Sequence, residues 1–539
     1  MNAPADINHN QQIAEHYDNT PYLSNPFYYS SPRHLRATAH LYGVDTVPLD
    51  QARVLELGCA AGGNLLPFAL AYPHGTAVGV DLSPVQIEQG QRILKDLGVG
   101  NMTLHAMSLT DITPDFGQFD YIVVHGVFSW VPAEVKQAIL RICRENLAPQ
   151  GIAYVSYNTY PGWKSNDIVR DAMLLHSHGA QSDEERLARA KSMLNLLSRG
   201  LSPRNPLAES LRGAVEHLQN QSDYYLTHEY LEAFNHPCYL VEFVDAAQHA
   251  GLEYVGDAEA QGELAWTYGR AVQVHHSTTA MGQPKAIRQQ YLDFAVGRMF
   301  RKSLLTHPEN AVSLRMDPDL EHLADLRFAG TYVREPAYES NLPAGHRTYR
   351  NNRGRRLRSP DAAMFVLVDV LNAAWPRSLP FDDLVRQAEA RLKAAGEDAD
   401  RAKIQKAVRI LYASATCYVS LDPMPYDAVP EGPPQVTRGY AYLAARQQGK
   451  GCGVGALNLW HDGANIRLRE AGEWLVPYLD GSRSSAQLRS LLRDALQKGK
   501  ILDLEGKSLA GRRNLDPHAQ KILDKLLHAL KFAGVLLRG

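Results

Sequence analysis

The sequence predicts an α/β protein: a mainly parallel sheet covered by helices, followed by mainly helical domains. Three observations carry this. Short apolar runs alternate with helical stretches over residues 52–158. After about residue 164 the hydrophobic spacing becomes helical. The last third holds two units of similar outline, each with a short capped helix, a longer amphipathic helix and a strand-like end.

The elements follow in order. Residues 1–50 are rich in Tyr, Asn and Pro, and Arg33 to Tyr42 reads as a helix. Ala52–Gly58 is an apolar strand and Gly62–Ala71 a helix. Ala77–Ser83 is a second strand, and Pro84–Leu97 a helix with Pro at its first turn. A third strand ends at Ser108 and Leu109, and Phe119–Phe128 is a fourth. Glu134–Leu147 is a helix, and Gly151–Asn158 a fifth strand. Strands separated by helices imply parallel pairing with both faces covered. Residues 165–220 read as helical, and Gln289–Leu305 as a further helix. Asp427–Gln435 (DAVPEGPPQ) reads as a linker between the two similar C-terminal units, whose outline is that of a winged helix.

A chain of 539 residues exceeds what one core organises. The expected division is 1–164, a ligand-binding α/β domain with an N-terminal lid; 165–310, helical; 311–430, a winged-helix-like middle domain; and 431–539, a helical, winged-helix-like end. With 45% apolar and 21% charged residues the composition is that of a soluble globular protein. A net charge of −2 gives no global attraction to nucleic acid or anionic membranes. Cys59, Cys143, Cys238, Cys417 and Cys452 form no CxxC pair, so neither a metal site nor a disulfide framework is expected, and a reducing cytoplasm fits. The N-terminus lacks a signal peptide's apolar core, and no apolar run of about 18 residues suggests a membrane span.

The sharpest signal is VLELGCAAGGN, Val54–Asn64. A strand runs into a small-residue turn and then a helix, whose first N–H groups are free. Gly58 permits the turn, while Ala60 and Gly62 let a ligand approach the backbone. In dinucleotide enzymes such a turn holds a pyrophosphate. Glu56 would repel one, but suits a cationic amino acid and its sulfonium. Asp81 follows Glu56 by 25 positions at the end of the next strand, where a carboxylate can accept both ribose hydroxyls. His125 ends the fourth strand at the same crevice.

ELGCAAG, with one Gly-to-Ala departure, and the strands around it resemble the class I S-adenosylmethionine-dependent methyltransferases. The resemblance implies a Rossmann-like, seven-stranded, mostly parallel sheet and S-adenosyl-L-methionine as cofactor. It implies that Glu56, Gly58, Ala60 and Gly62 line the methionine part, that Asp81 holds the ribose beside Leu82, that Ser108 and Leu109 flank the adenine, and that Cys59 and Asn64 also bind the cofactor. PYLSNPFYYSSP, FDYIVVHGVFSWVP, YVSYNTYPGW and HEYLEAFNHPCYLVEFVDAAQHAGLEYVG are similar to the bacterial methyltransferases that carry a methyltransferase regulatory domain, among them the rickettsial protein-lysine methyltransferases. That implies a homodimer and a protein lysine substrate.

Several residues carry two readings. Tyr17 and Tyr22 close over the cofactor, or belong to a segment packed on the domain. His125 contacts the cofactor or acts as a base, or is a core histidine. Phe128 and Trp130 wall a lysine channel, or are the apolar side of a helix. Tyr157, Asn158, Tyr160 and Trp163 follow the fifth strand as candidate substrate contacts. Cys59 reads as a space-filler, and His228 and His236 as structural. The six arginines between Arg347 and Arg358 bind an acidic protein or nucleic acid, or form a solvated hairpin. Near-neutral charge favours protein over nucleic acid as partner of the winged-helix-like units. No catalytic base is evident, since a cationic sulfonium and an aromatic channel lower a lysine's pKa. A small-molecule O- or N-methyltransferase and a non-catalytic cofactor-binding regulator are the alternatives.

Overall fold

Val54–Leu57 are buried without interruption, which suits a strand covered on both faces and flanked on both edges. In the computed structural model this segment, β1 (Arg53–Leu57), lies between β2 (Thr76–Asp81) and β4 (Phe119–Val124), with β3 (Met102–Ala106) beyond β2. β5 (Leu147–Asn158) follows β4. The sheet ends with β6 (Glu253–Asp257) and β7 (Phe300–Thr306), giving seven strands in the order β3-β2-β1-β4-β5-β7-β6. β1 to β5 pair in parallel, and β7 runs antiparallel to both neighbours. Residues 23–539 are described, apart from 233, 427, 430, 448–453, 465 and 467. Tyr17, Tyr22, Cys452 and part of the expected 427–435 linker therefore lie outside the described residues.

Helices cover the sheet. α1 (Pro32–Leu41) starts at Ser31, whose hydroxyl accepts the His34 N–H. α2 (Leu66–Ala71) follows the β1 turn. α3 (Pro84–Leu97) is capped by Ser83 and ends at Gly98 in the left-handed region, as start and stop chemistry demand. α4 (Ala133–Glu145) precedes β5. Two buried clusters fill the two faces, one around Tyr42, Phe68 and Tyr154, the other around Ile122, Phe128, Tyr157 and Phe243.

β6 and β7, beyond residue 164, complete the seven strands that the resemblance implies, although residue pattern located only the first five. The reading of Gln289–Leu305 as one helix fails, because the helix there stops at Val296 and Gly297 turns the chain into β7. The cause is visible in FRKSLLT. Arg301 and Lys302 interrupt what would otherwise read as an apolar strand. Arg301 is fully buried and paired. Its Nε and Nη2 donate to Asp293 at 2.7 and 2.8 Å, and its Nη1 to the Tyr254 hydroxyl at 3.0 Å and Glu263 at 3.2 Å. The Tyr42 hydroxyl also donates to Glu263, at 2.7 Å. The network ties α1, β6, β7 and the flanking helices together.

Between β5 and β6 stand α5 (Lys164–Ser177), α6 (Asp183–Arg199), α7 (Ala208–Gln219), α8 (Asp223–Tyr230) and α9 (Leu240–His249). α5 to α8 share a small core in which Trp163 stacks on Tyr230. α10 (Arg270–Thr279) and α11 (Lys285–Val296) precede β7.

The middle region holds β8 (Arg327–Ala329), β9 (Tyr332–Arg334), β10 (Arg347–Asn351) and β11 (Arg356–Ser359). α12 (Ala362–Ala374), β12 (Leu379–Pro380), α13 (Phe381–Ala394), α14 (Arg401–Ala413) and β13 (Tyr418–Ser420) follow. The C-terminal region has β14 (Gln435–Val436), α15 (Tyr440–Gln447), α16 (Glu470–Leu475), α17 (Ser485–Gln497), α18 (Asp516–Ala533) and β15 (Leu536–Arg538). The middle region runs through three helices into a final strand, and the C-terminal region through four. The arginine-rich stretch is a hairpin, β10–β11. It is not simply solvated. Arg350 and Arg356 both pair with Glu335, Arg355 pairs with Glu259, and Arg347 lies over the Phe365 ring.

Replacing Arg301 with Met leaves the buried Asp293 paired with Arg298 alone and strips the buried Glu263 of its arginine partner. The variant is expected to lose about 3–5 kcal/mol, read as a lowered denaturation midpoint or as insoluble protein.

Candidate functional site

A cleft opens at the carboxyl ends of β1, β2 and β4, where an α/β sheet reverses its strand order. Backbone geometry builds its floor. The Gly58 and Cys59 N–H groups donate to the Val80 carbonyl at 2.8 and 3.1 Å, which folds the turn back onto β2. Gly58 sits at φ +74°, and a Cβ there would lie 2.4 Å from Val127. Ala60 holds φ +50°, a left-handed conformation that glycine adopts without strain. Its N–H donates to Asp81 Oδ2 at 2.7 Å, while Ser83 N–H donates to Oδ1 at 3.0 Å. The carboxylate is thus fixed at the mouth of the turn.

Glu56 lies deeper. Its Oε1 accepts from the Asn64 amide at 2.7 Å, and its Oε2 is buried with no partner among the described residues. Burial holds the carboxyl up at about 8, against the Asn64 hydrogen bond. Asn25 Oδ1 and Gln86 Oε1 are also buried acceptors without donors among the described residues, and both side chains line the cleft. Three unmet acceptors around one space suit a ligand that brings donors and positive charge. The α-ammonium of a methionine-derived donor meets that description.

The expected residues Glu56, Gly58, Cys59, Ala60, Asn64, Asp81, Leu82, Ser108, Leu109, His125 and Trp130 all line the cleft. Gly62 does not. Added to it, a Cβ would meet Met102 and Leu104, so it serves packing against β3. Cys59 is buried, and burial raises its thiol pKa well above the usual range, which suits the space-filler reading. Tyr17 and Tyr22 lie outside the described residues.

The candidate substrate contacts separate. Phe128 is buried against Phe243, and Tyr157 stacks on Phe243 at 4.3 Å with its hydroxyl on Ser303, so both belong to the core behind the sheet. Asn158 is buried and donates to Asn235. Tyr160 donates to Asp167 at 2.7 Å, and Trp163 stacks on Tyr230. All five lie outside the cleft lining. β5 runs on through Asn158 to pair with β7, which carries these side chains past the crevice.

Other cleft residues carry no motif. Ser24, Asn25 and Phe27 reach it from the segment before α1. The Ser24 hydroxyl accepts the Gly63 N–H at 2.8 Å and donates to the Cys59 carbonyl at 3.2 Å. SNPF lies only a few residues beyond the expected tyrosines, so the right segment was legible and the contacting side chains were not. Gln86 is in the first turn of α3, and Glu229 comes from α8, far along the chain. Burial holds Glu229 near 7.

A second cavity, of about 600 Å³, shares two wall residues with the cleft, Phe27 and His125, whose rings lie 4.0 Å apart. Its other walls include Tyr28, Tyr29 and Lys302, the β10–β11 hairpin, and Ala529, Phe532 and Ala533 of α18. His125 Nδ1 lies 2.9 Å from the Tyr154 hydroxyl. Burial, assisted by Lys302, pushes its imidazole down to about 3, so it is neutral at physiological pH. Elsewhere, His40, His322 and Asp325 stand close enough to share a cation, a grouping that sequence spacing does not show. Among the described residues no helix is long and apolar enough to cross a membrane.

Comparison with known proteins agrees with this geometry. Residues 54–151 match a family described as "Methyltransferase domain", and 222–307 match "Predicted methyltransferase regulatory domain". Residues 434–535 match "PKMT, C-terminal winged helix domain". The uncharacterized protein RP028 of Rickettsia prowazekii is 39% identical over 233 residues, which cover 43% of this chain and 93% of that protein. The chain belongs to the class I S-adenosylmethionine-dependent methyltransferases with a methyltransferase regulatory domain. This methyltransferase is also 28% identical to the uncharacterized protein RP789 of the same organism, over 97% of this chain and 94% of that one. It is similar to the solved structure of PKMT2 from Rickettsia typhi, with a TM-score of 0.81 and 25% identity over 96% of this chain and 100% of that chain. PKMT2 has also been solved in complex with AdoHcy.

The state of Glu56 gives the methyltransferase a pH signature. With burial holding it up at about 8, the carboxyl must lose a proton to pair with an ammonium. Binding of S-adenosylhomocysteine is therefore expected to release a proton below pH 8, and affinity to fall as pH drops from 8 towards 6, by up to about tenfold per unit. Calorimetry in buffers of different ionisation heat checks this, and Glu56→Gln is expected to remove the proton release.

Proposed function

We propose that this methyltransferase transfers a methyl group from S-adenosyl-L-methionine to a lysine side chain of a protein. The observation that carries the reading is the second cavity. It meets the donor cleft at Phe27 and His125, and its walls come from the sheet domain, the middle region and the C-terminal winged helix. A small metabolite needs no such three-sided approach, whereas a polypeptide segment does. The likeness to PKMT2 along nearly the whole chain supports the same reading.

Glu56 takes the donor's ammonium, Asp81 its ribose hydroxyls, and Leu82, Ser108 and Leu109 its adenine. Bound S-adenosylmethionine supplies an electrophilic methyl on a sulfonium. The amine lone pair forms the N–C bond as the S–C bond breaks, and the amine must first be neutral. Lys302 at the cavity wall, and burial against Phe27, disfavour its protonated form. In the tautomer whose Nδ1–H donates to the Tyr154 oxygen, His125 offers Nε2 as an acceptor for an amine N–H. It therefore aims the lone pair and does not need to carry a proton.

A homodimer fits α10 and α11, which expose Val274, Tyr291 and Phe294. Val274→Glu with Phe294→Glu is expected to convert a dimer to a monomer by light scattering.

Asp81→Ala loses both the donor contact and the anchor of Ala60 and Ser83. S-adenosylhomocysteine affinity is expected to fall about 100-fold or more. With labelled donor and cell lysate, label is expected in protein bands and, after digestion, in methylated lysine. Label confined to small molecules favours a metabolite acceptor, and binding without turnover favours a regulator.

A further inference from the structure

We propose that the cavity beneath the β10–β11 hairpin selects an acidic side chain close to the acceptor lysine, with Arg353 as the recognising group. This rests on the polypeptide acceptor read above.

Four cations line the cavity: Lys302, Arg350, Arg353 and Arg355. Three have carboxylate partners. Lys302 and Arg355 hold Glu259 at 2.9 and 2.6 Å, and Arg350 holds Glu335 at 2.7 Å. Arg353 has none among the described residues. One of its nitrogens, Nη2, donates to the carbonyls of Ala415 and Cys417 at 2.9 and 3.0 Å. Its Nε and Nη1 are buried without an acceptor, and so is the Tyr29 hydroxyl on the same cavity wall. The rings of Tyr28 and Tyr418 lie 4.8 and 4.6 Å from the guanidinium carbon and fix its place.

The cavity's own carboxylate, Asp462, feels the charge of Arg353 without coming within ion-pair distance of it. It accepts the Tyr418 hydroxyl at 3.2 Å and the Gly463 N–H at 3.0 Å. The wall therefore holds an excess of unmet donors next to positive charge. A buried guanidinium donor left without an acceptor is costly, and its planar fork matches a carboxylate. Because Phe27 and His125 border both spaces, a carboxylate held here belongs to the same chain segment as an amine entering the donor cleft. The chemistry chosen is an Asp or Glu near the modified lysine.

The test uses the full-length protein and capped peptides of two kinds, Glu-rich and its Gln-for-Glu counterpart, each with and without one lysine. By fluorescence anisotropy the lysine-free Glu peptide is expected to bind about tenfold tighter than its Gln counterpart, as one charge-assisted pair allows. Arg353→Gln is expected to bring the two affinities together, while Arg353→Lys retains part of the difference. S-adenosylhomocysteine binding reports on whether each variant folds. Should Arg353→Gln fail that check, Tyr29→Phe is expected to reduce the preference a few-fold through loss of one donor. Equal binding of the two wild-type peptides overturns the inference, as does an Arg353→Gln protein that folds and keeps the preference. Tight binding of the Glu peptide without labelling of its lysine counterpart overturns the lysine reading and leaves the carboxylate site standing.

Discussion

One side chain amide joins the parts of this molecule. Asn64 donates to Glu56 at 2.7 Å and to the Ser30 hydroxyl at 3.0 Å, and its oxygen accepts the Phe27 N–H at 2.9 Å. His461, from the C-terminal region, reaches the same oxygen at 3.3 Å. The donor-site carboxylate, the segment before α1 and the last domain therefore meet at a single buried residue. Each bond forms away from water, where an unmade partner is costly. Glu56 can remain buried because this amide holds one of its oxygens, which leaves the other for a ligand.

The segment before α1 acts as a strap. Ser24 pairs with Val454, and its carbonyl accepts the Gly455 N–H at 2.8 Å, so the C-terminal region holds the strap while its Ser24 hydroxyl grips the β1 turn. Asn25 and Phe27 are carried to the donor cleft as a result. The far domain thereby finishes the pocket without contributing a motif to it.

Charge is distributed in the same economical way. The arginines of the β10–β11 hairpin and of β7 are held by Glu335, Glu259, Asp293 and Glu263 inside the fold, so a near-neutral chain carries a locally cationic cavity. The rings of Tyr28, Tyr29 and Tyr418 stand where Arg353 and Arg355 would otherwise face water. Net charge describes the approach of distant partners, and here it hides what the cavity offers at contact distance.

The sequence by itself determined the sheet's parallel half, the tight turn after β1 with Glu56 and Asp81 at the cleft, and the C-terminal winged helix. These are local. A buried strand shows as an apolar run, a tight turn as Gly and Ala, and a cleft carboxylate as Asp81 at the next strand end. Tertiary structure alone decided the rest. β7 carries Arg301 and Lys302 and declares itself a strand only once Asp293, Glu263 and Glu259 surround them. Phe128, Tyr157, Asn158, Tyr160 and Trp163 lie beside the motifs in sequence, yet β5–β7 pairing holds Tyr157 and Asn158 away from the cleft, and Phe128, Tyr160 and Trp163 pack on Phe243, Asp167 and Tyr230. Phe27, Gln86 and Glu229 reach the cleft from separate elements, and no spacing announces that. A neighbour in space contributes the same hydrogen bond or burial whatever its distance along the chain, so local pattern finds the turn but not the walls that close around it.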